Sequence, residues 1–260
     1  MKRAAARSGQ SPERAGTRAD LFLVDKGFAA SRAEAAEAIA AGGVLVDGKK
    51  INKTSMRLRE GAAITYRRAH PYVSRGGVKL AFALDEFSLS PSGLCCLDIG
   101  ASTGGFTEVL LERGAGRVYA IDVGSGQLSP TIASDPRVTS LEGVNARHLD
   151  AKQIPEPLDA IVADVSFISL RLALPNALAL ARPGAWLVAL FKPQFEVGKS
   201  KVGKGGIVRD SAAREDALRE FVAWLEQEQR WSVTGTEQSP ITGGDGNIEY
   251  LVAARNERRR

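Results

Sequence analysis

The segment Leu97-Asp98-Ile99-Gly100-Ala101-Ser102-Thr103-Gly104-Gly105-Phe106 carries the most legible chemistry in the chain. An apolar run that ends in clustered glycines is a strand turning sharply into a helix, where backbone can lie against a ligand. Three chemistries compete for it. A dinucleotide fingerprint needs glycine at its first, third and sixth places, and Ser102 stands at the middle one, where backbone would approach a pyrophosphate. A nucleophile elbow, G-x-S-x-G, fits Gly100 to Gly104. That elbow also needs a late histidine, and the only histidines are His70 and His148, which argues against a hydrolase. The third is a turn for S-adenosylmethionine (AdoMet), which has no pyrophosphate to cradle. Its glycines let the methionine part lie on the backbone, and an acid ending the next strand takes the ribose hydroxyls. Asp122, in Tyr119-Ala120-Ile121-Asp122-Val123-Gly124, stands at that place.

Four further segments bear on this reading: Val73-Ser74-Arg75-Gly76-Gly77-Val78-Lys79-Leu80, Ala163-Asp164-Val165-Ser166-Phe167, Leu190-Phe191-Lys192-Pro193-Gln194-Phe195-Glu196 and Gly246-Asn247-Ile248-Glu249-Tyr250. Lys192 ends a run as apolar as Trp186 to Phe191, and Pro193 fixes its exit. Plainer roles exist for each: a snorkelling strand-end lysine, a helix-capping Asp164, a solvated Glu249, a helix-surface Lys79. Methylating a hydroxyl, a weak acid, takes a base and a positive field. A lysine is a base only when neutral, which burial or a nearby second cation favours. Lys192 near Lys79 would meet both conditions, with Asp164 orienting Lys192 and Glu249 holding Lys79 or the acceptor.

These residues need a scaffold. From Leu94 onward strands and helices alternate: strands near 94–99, 117–123, 138–141, 158–165 and 185–191, helices near 106–113, 169–181 and 210–229, and closing strands near 231–237 and 248–254. The pattern predicts an α/β fold with a parallel sheet covered on both faces and ligands above the carboxyl ends of its strands. With 260 residues, 44% apolar and 25% charged, the chain has material for a large domain and a small one. Cys95 and Cys96 adjoin in an apolar run and read as buried reduced thiols, which suits the cytoplasm. The polar N-terminus lacks a signal-peptide pattern and no run is long enough to span a bilayer.

Charge divides the chain. Residues 1–79 hold 16 Lys/Arg against 7 Asp/Glu, whereas residues 80–260 hold 19 against 23. A basic front half suggests a polyanion-binding module. Residues 1–17 read as a disordered basic arm. An apolar cluster at Leu21, Phe22, Leu23 and Val24 predicts a short helix ending near Gly27. Ser31 and Glu34 form a capping box for a second helix that stops at Gly42-Gly43. Val44 to Val46, the Asp47-Gly48 turn and Lys49 to Ile51 predict a hairpin, followed by a strand from Ala63 to Tyr66 and a linker at 67–78.

R-A-D-L-F-L-V-D-K-G-F-A-A-S-R at 18–32 and G-G-V-L-V-D-G-K-K at 42–50 resemble the RNA-binding domain shared by a small-subunit ribosomal protein, pseudouridine synthases and tyrosyl-tRNA synthetases, over residues 18–66. There Arg18, Lys26, Arg32, Lys49, Lys50 and Lys53 are the candidates for phosphate contacts. Over 18–254, S-R-G-G-V-K-L, D-I-G-A-S-T-G-G-F, A-D-V-S-F-I-S-L, K-P-Q-F-E-V-G and G-N-I-E-Y resemble the TlyA family of ribosomal RNA methyltransferases. That family is a branch of the FtsJ-like 2′-O-methyltransferases first labelled haemolysin. The resemblance implies a Rossmann-like methyltransferase domain at 79–254 with a mostly parallel seven-stranded sheet, behind a small α+β RNA-binding domain. It implies AdoMet-dependent methylation of cytidine 2′-hydroxyls in ribosomal RNA of the small subunit, the large subunit or both. It implies a catalytic set of Lys79, Asp164, Lys192 and Glu249, with Lys192 as base. Cofactor contacts fall on Gly100, Ser102, Thr103, Gly104, Gly105, Phe106, Asp122, Asn145 and Asp164.

No metal is expected, and a monomer is the simpler expectation. The lysine- and glycine-rich stretch from Gly198 to Gly206 fails as a phosphate-binding loop, because Pro193 stands where its first glycine would be. It reads as a mobile basic loop beside the site, able to grip an RNA backbone, or as a merely flexible surface loop. Residues 255–260 read as a basic tail. Two other readings compete with the enzyme. One is a membrane-lytic protein, which the family's old label suggests; the other is a non-catalytic ribosome-assembly factor that keeps the AdoMet pocket.

Overall fold

The computed structural model describes residues 16–29 and 31–257, so most of the expected arm and the last three arginines lie outside the described residues. The chain divides into two compact units, one ending at Pro71 and the other starting at Tyr72.

In the first unit, α1 (Ala19–Asp25) and α2 (Arg32–Ala40) pack beside two small sheets. One pairs β1 (Thr17–Arg18) with β4 (Arg57–Leu58); the other has the order β3 (Lys49–Lys50), β2 (Val44–Val46), β5 (Ile64–Tyr66). Asp47 and Gly48, both at positive φ, make the tight turn between β2 and β3. Ser31 caps α2 by accepting the Glu34 N–H at 3.2 Å. The helical period decides which apolar residues enter the core: Phe22 and Leu23 are buried, whereas Leu21, expected in the cluster, faces solvent. Thr17, placed in the arm by sequence, instead pairs with Leu58.

The second unit is one seven-stranded sheet between two helical layers. Its strands are β6 (Cys95–Ile99), β7 (Arg117–Asp122), β8 (Val138–Glu142), β9 (Leu158–Ala163), β10 (Ala181–Phe191), β11 (Trp231–Gln238) and β12 (Tyr250–Asn256), in the order β11-β12-β10-β9-β6-β7-β8. Strands β6 to β10 are parallel; β12 runs antiparallel between β10 and β11. Alternation along the strands sorts the core. Ile99, Ala163 and Phe191 face α6 (Leu170–Ala173), α7 (Pro175–Leu180) and α8 (Ser211–Gln227). Cys96, Val162, Leu190 and Leu251 face α3 (Arg75–Glu86) and α4 (Gly105–Glu112). A short α5 (Pro130–Ala133) lies between β7 and β8.

Three boundaries differ from the sequence reading. Helix α3 starts at Arg75, inside the stretch read as linker, so Lys79 belongs to a helix. The helix expected over 169–181 is two, because Pro175 lacks the N–H that would continue α6 and starts α7 instead. Strand β12 runs to Asn256, two residues into the stretch read as a tail. The strand order reverses between β6 and β9, which opens a crevice at their carboxyl ends.

Candidate active site

The side-chain alternation that builds the core also aims the polar residues beyond it. Asp98, Asp164 and Lys192 each follow by two a residue facing α3 and α4, namely Cys96, Val162 and Leu190, and Glu249 precedes Leu251 by two. All four therefore project to the α3/α4 face, from which Lys79 approaches. Lys79 Nζ donates to Glu249 Oε2 at 2.5 Å, with Lys79 6% and Glu249 3% exposed. Lys192 Nζ lies 2.6 Å from Asp164 Oδ1 and donates to Ser166 Oγ at 2.9 Å. Lys79 with Glu249 and Lys192 with Asp164 thus form two ion pairs, one sealed in the interior and one half open.

Three cavities meet here. The largest, about 420 Å³, is lined by Gly100, Ser102, Asp122, Val123, Asn145 and Phe167 among others. A second, about 200 Å³, is lined by Ser74, Gly100, Ser102, Thr103, Gly105, Phe106, Asp164 and Lys192. A third, about 310 Å³, is lined by Lys192, Phe167, Phe195, Gln194, Asp245 and Glu249. Gly100, Ser102 and Asp164 line the first two, and Ser166 lines all three. Lys192 sits where the second and third adjoin.

The glycine turn also does structural work. A Cβ on Gly100 (φ +83°) would lie 2.4 Å from the Asp164 carbonyl oxygen. One on Gly104 would strike Ile132 and Leu128, and one on Gly105 the Ser74 hydroxyl. The missing Cβ atoms let protein approach protein, drawing the Asp164 segment and the start of α3 against the turn. Gly104 is buried and lines neither of the first two cavities. Asp122 braces the turn as well, accepting the Ser102 N–H at 2.8 Å and the Gly124 N–H at 2.7 Å. Asn145 caps a short 3-10 turn through the Arg147 N–H and borders the first of these three cavities.

Sequence reasoning assigned no role to Asp98, Ser166, Phe167 or Glu196. Asp98 is wholly buried, its carboxylate accepts the Thr107 hydroxyl at 2.7 Å, and burial pushes its pKa up to about 7. Phe167, at φ +65°, is 92% exposed and leans on Phe195 with ring centroids 5.3 Å apart. Glu196 accepts from the Ser169 hydroxyl at 2.7 Å and the Leu170 N–H at 2.8 Å, tying the Lys192 segment to the Asp164 segment. Burial pushes the Glu196 carboxyl up. All lie in segments the sequence analysis quoted, but only tertiary contacts distinguish them from packing residues.

In the first unit the candidate RNA contacts separate into two groups. Arg18 and Arg32 both bind the buried Asp20, at 3.0 and 2.8 Å, and hold its carboxyl well below the usual range. Their guanidinium groups are tied to that carboxylate while the Arg32 side chain stays exposed. Lys26 pairs with Glu60 at 2.6 Å. Lys49, Lys50 and Lys53 are exposed.

The residues present fit AdoMet. The two adjoining cavities offer an acid, Asp122, at the end of the second strand, an exposed valine, Val123, beside it, and a carboxylate, Asp164, at the inner end. A parallel sheet with a reversed β12, a glycine turn after its first strand and an acid after its second defines a methyltransferase fold. The chain belongs to the FtsJ-like methyltransferase family, which it matches over residues 72–256, and residues 17–64 match the S4 domain. It is 46% identical over 242 residues to the 16S/23S rRNA (cytidine-2′-O)-methyltransferase TlyA of Mycobacterium tuberculosis, covering 92% of this chain and 90% of that one. Hemolysin A of Brachyspira hyodysenteriae is 40% identical, with 90% and 98% covered. A solved structure from Streptococcus thermophilus, also bearing the name hemolysin, superposes with a TM-score of 0.74 at 39% identity, over 93% of this chain and 89% of that one.

Proposed function

We propose that the chain transfers a methyl group from AdoMet to the 2′-hydroxyl of a cytidine in ribosomal RNA. The observation that carries this reading is the position of Lys192, beside Asp164 and Ser166, between a cavity shaped for the methyl donor and one open to an acceptor. AdoMet supplies a methyl group activated by a sulfonium, so the protein's task is alignment and proton removal.

In this reading Gly100, Ser102, Thr103, Gly105 and Phe106 border the methionine arm, Asp122 takes the ribose hydroxyls, and Asn145 lies towards the adenine. Lys192 in its neutral form would take the acceptor's 2′-hydroxyl proton as that oxygen bonds the methyl carbon and the methyl–sulfur bond breaks, with the neutral thioether as leaving group. Asp164 and Ser166 hold the Lys192 amine on its line of approach. The buried Lys79–Glu249 pair supplies a fixed field beside the developing alkoxide. Phe167 offers an exposed aromatic face to a base turned out of its stack. Lys49, Lys50 and Lys53 on the first unit contact phosphates of structured RNA.

The test is transfer of labelled methyl from AdoMet to isolated small and large ribosomal subunits, with the modified ribose mapped by reverse-transcription stops at limiting nucleotide. Label at a ribose 2′-oxygen, lost at least 100-fold in Lys192→Ala while AdoMet still binds, is the expected result. Near-normal turnover in Lys192→Ala removes lysine 192 as the base. AdoMet binding without transfer to either subunit replaces the enzyme with an assembly factor. The hemolysin name of two relatives is tested by liposome leakage with pure protein, where no release is expected. Among the described residues no helix is long and apolar enough to cross a membrane.

A further inference from the structure

Opposite Ser166 and Phe167, three further segments wall the acceptor cavity: the one after Lys192, the stretch 198–208, and the turn 243–249 that leads to Glu249. One buried side chain stitches them together. Asn247 is 1% exposed. Its carbonyl oxygen accepts the Val208 N–H at 2.9 Å, and its amide donates to the Gly206 carbonyl at 2.8 Å and to Asp245 Oδ2 at 2.8 Å. Asp245 Oδ2 in turn accepts from Gln194 Nε2 at 3.3 Å, two residues beyond Lys192. Only a side chain that both donates and accepts can grip a carbonyl and an N–H on either side of Ile207. Aspartate lacks the donor and leucine lacks both.

The loop that Asn247 anchors is cationic and otherwise untethered by charge. Between Val197 and Arg209 there is no acidic residue, and Lys199, Lys201 and Lys204 are all exposed without an ion pair among the described residues. Val202 and Gly206 of the same loop line the acceptor cavity. Asp245 is the acid at this rim, and its oxygens are taken up by Asn247 and Gln194.

A 2′-hydroxyl is vicinal to its own 3′-phosphate, so any ribose presented to Lys192 brings phosphodiesters to the cavity rim. Resting on the function proposed above, we propose that Asn247 is a positioning residue that fixes the 199–206 loop as the outer wall of the acceptor cavity. There Lys199, Lys201 and Lys204 grip the phosphates flanking the target nucleotide. The surface recognises backbone charge and carries no base readout.

The test compares wild type, Lys199→Ala/Lys201→Ala/Lys204→Ala, Asn247→Ala and the combined variant. It uses methyl transfer to ribosomal subunits and direct binding of subunits at 50 and 200 mM salt, with AdoMet affinity by calorimetry. The lysine variant is expected to raise the subunit KM about tenfold with kcat within about twofold. It should flatten the logarithmic salt slope of binding by about 2–3, as three lost phosphate contacts require. Asn247→Ala should raise KM about threefold to fivefold, add little to the lysine variant, and leave AdoMet affinity unchanged. A wild-type KM and salt slope in the lysine variant overturns the phosphate grip. Additive effects, or AdoMet affinity lost in Asn247→Ala, overturn the positioning role. If the wild type binds subunits but methylates neither, the proposed function fails, while the binding arm still decides the loop's role.

Discussion

Lys79 and Glu249 stand 170 positions apart in the chain and 2.5 Å apart in the folded protein, both almost fully buried. The contact joins the second turn of α3, near the start of the second unit, to the residue just before β12, near its end. An interior ion pair gains little over two apolar residues, yet breaking it from one side strands a charge.

Lys79→Met and Glu249→Gln should each therefore cost about 3–5 kcal/mol of stability in urea unfolding. The double variant Lys79→Met/Glu249→Leu should recover most of that loss without recovering methyl transfer. A double variant as unstable as the singles would show that the pair is worth more to the fold than its desolvation.

Gly100→Ala tests the turn. The residue sits at φ +83°, and a Cβ would lie 2.4 Å from a backbone oxygen of Asp164, which has no flexible end to move aside. The backbone conformation alone should cost about 1–3 kcal/mol. The displaced Asp164 segment should weaken AdoMet binding at least tenfold by calorimetry.

Asp98 makes stability depend on pH in a defined direction. Its pKa rises from 3.8 to about 7 on folding because burial disfavours the charged form. At pH 4 the folded wild type holds this carboxyl neutral, as Asp98→Asn does. As pH rises from 4 towards 7, the folded protein pays to ionise the group or to keep its proton, about 1.4 kcal/mol per unit at most. The stability of Asp98→Asn relative to wild type should climb over that window and level off above it, as measured by thermal midpoints. A difference independent of pH would place the folded pKa near the unfolded one.

Asp20 has the opposite sign. Arg18 and Arg32 hold it ionised, so its contribution is present above the unfolded carboxylate pKa and lost as pH falls. Asp20→Asn should lower the thermal midpoint of the protein at pH 7, and the difference should begin to shrink as pH falls past the unfolded carboxylate value and close only at the depressed folded one, well below pH 3. Arg32→Ala should weaken folding more than it weakens RNA binding, whereas Lys49→Ala and Lys50→Ala should do the reverse.

How far the sequence could be read depended on the range of the forces involved. Hydrophobic periodicity and turn chemistry are local, so the alternating strands and helices from Cys95 to Asn256 were legible, as was the hairpin at Asp47-Gly48. Helix α3 was not, because the Gly76-Gly77 pair inside it resembles linker, and its stability comes from Leu80 and Leu84 packing on the sheet. The pairing of Arg18 and Arg32 with Asp20 was not legible either, because the demand of a buried carboxylate is visible only in three dimensions.

The amino-acid sequence by itself determined the element order, the glycine turn, the acid ending β7 and which residue types would face the crevice, since each follows from neighbours a few positions apart. The pairings of Asp164 with Lys192 and of Glu249 with Lys79 were open options in the sequence; the tertiary structure alone set Lys79 against Glu249 in the interior, added Ser166 to Lys192, and carried Asn247 back to Gly206 and Val208. Those pairings depend on which strand lies beside which and on the one-residue register that sends a side chain to one face of the sheet or the other.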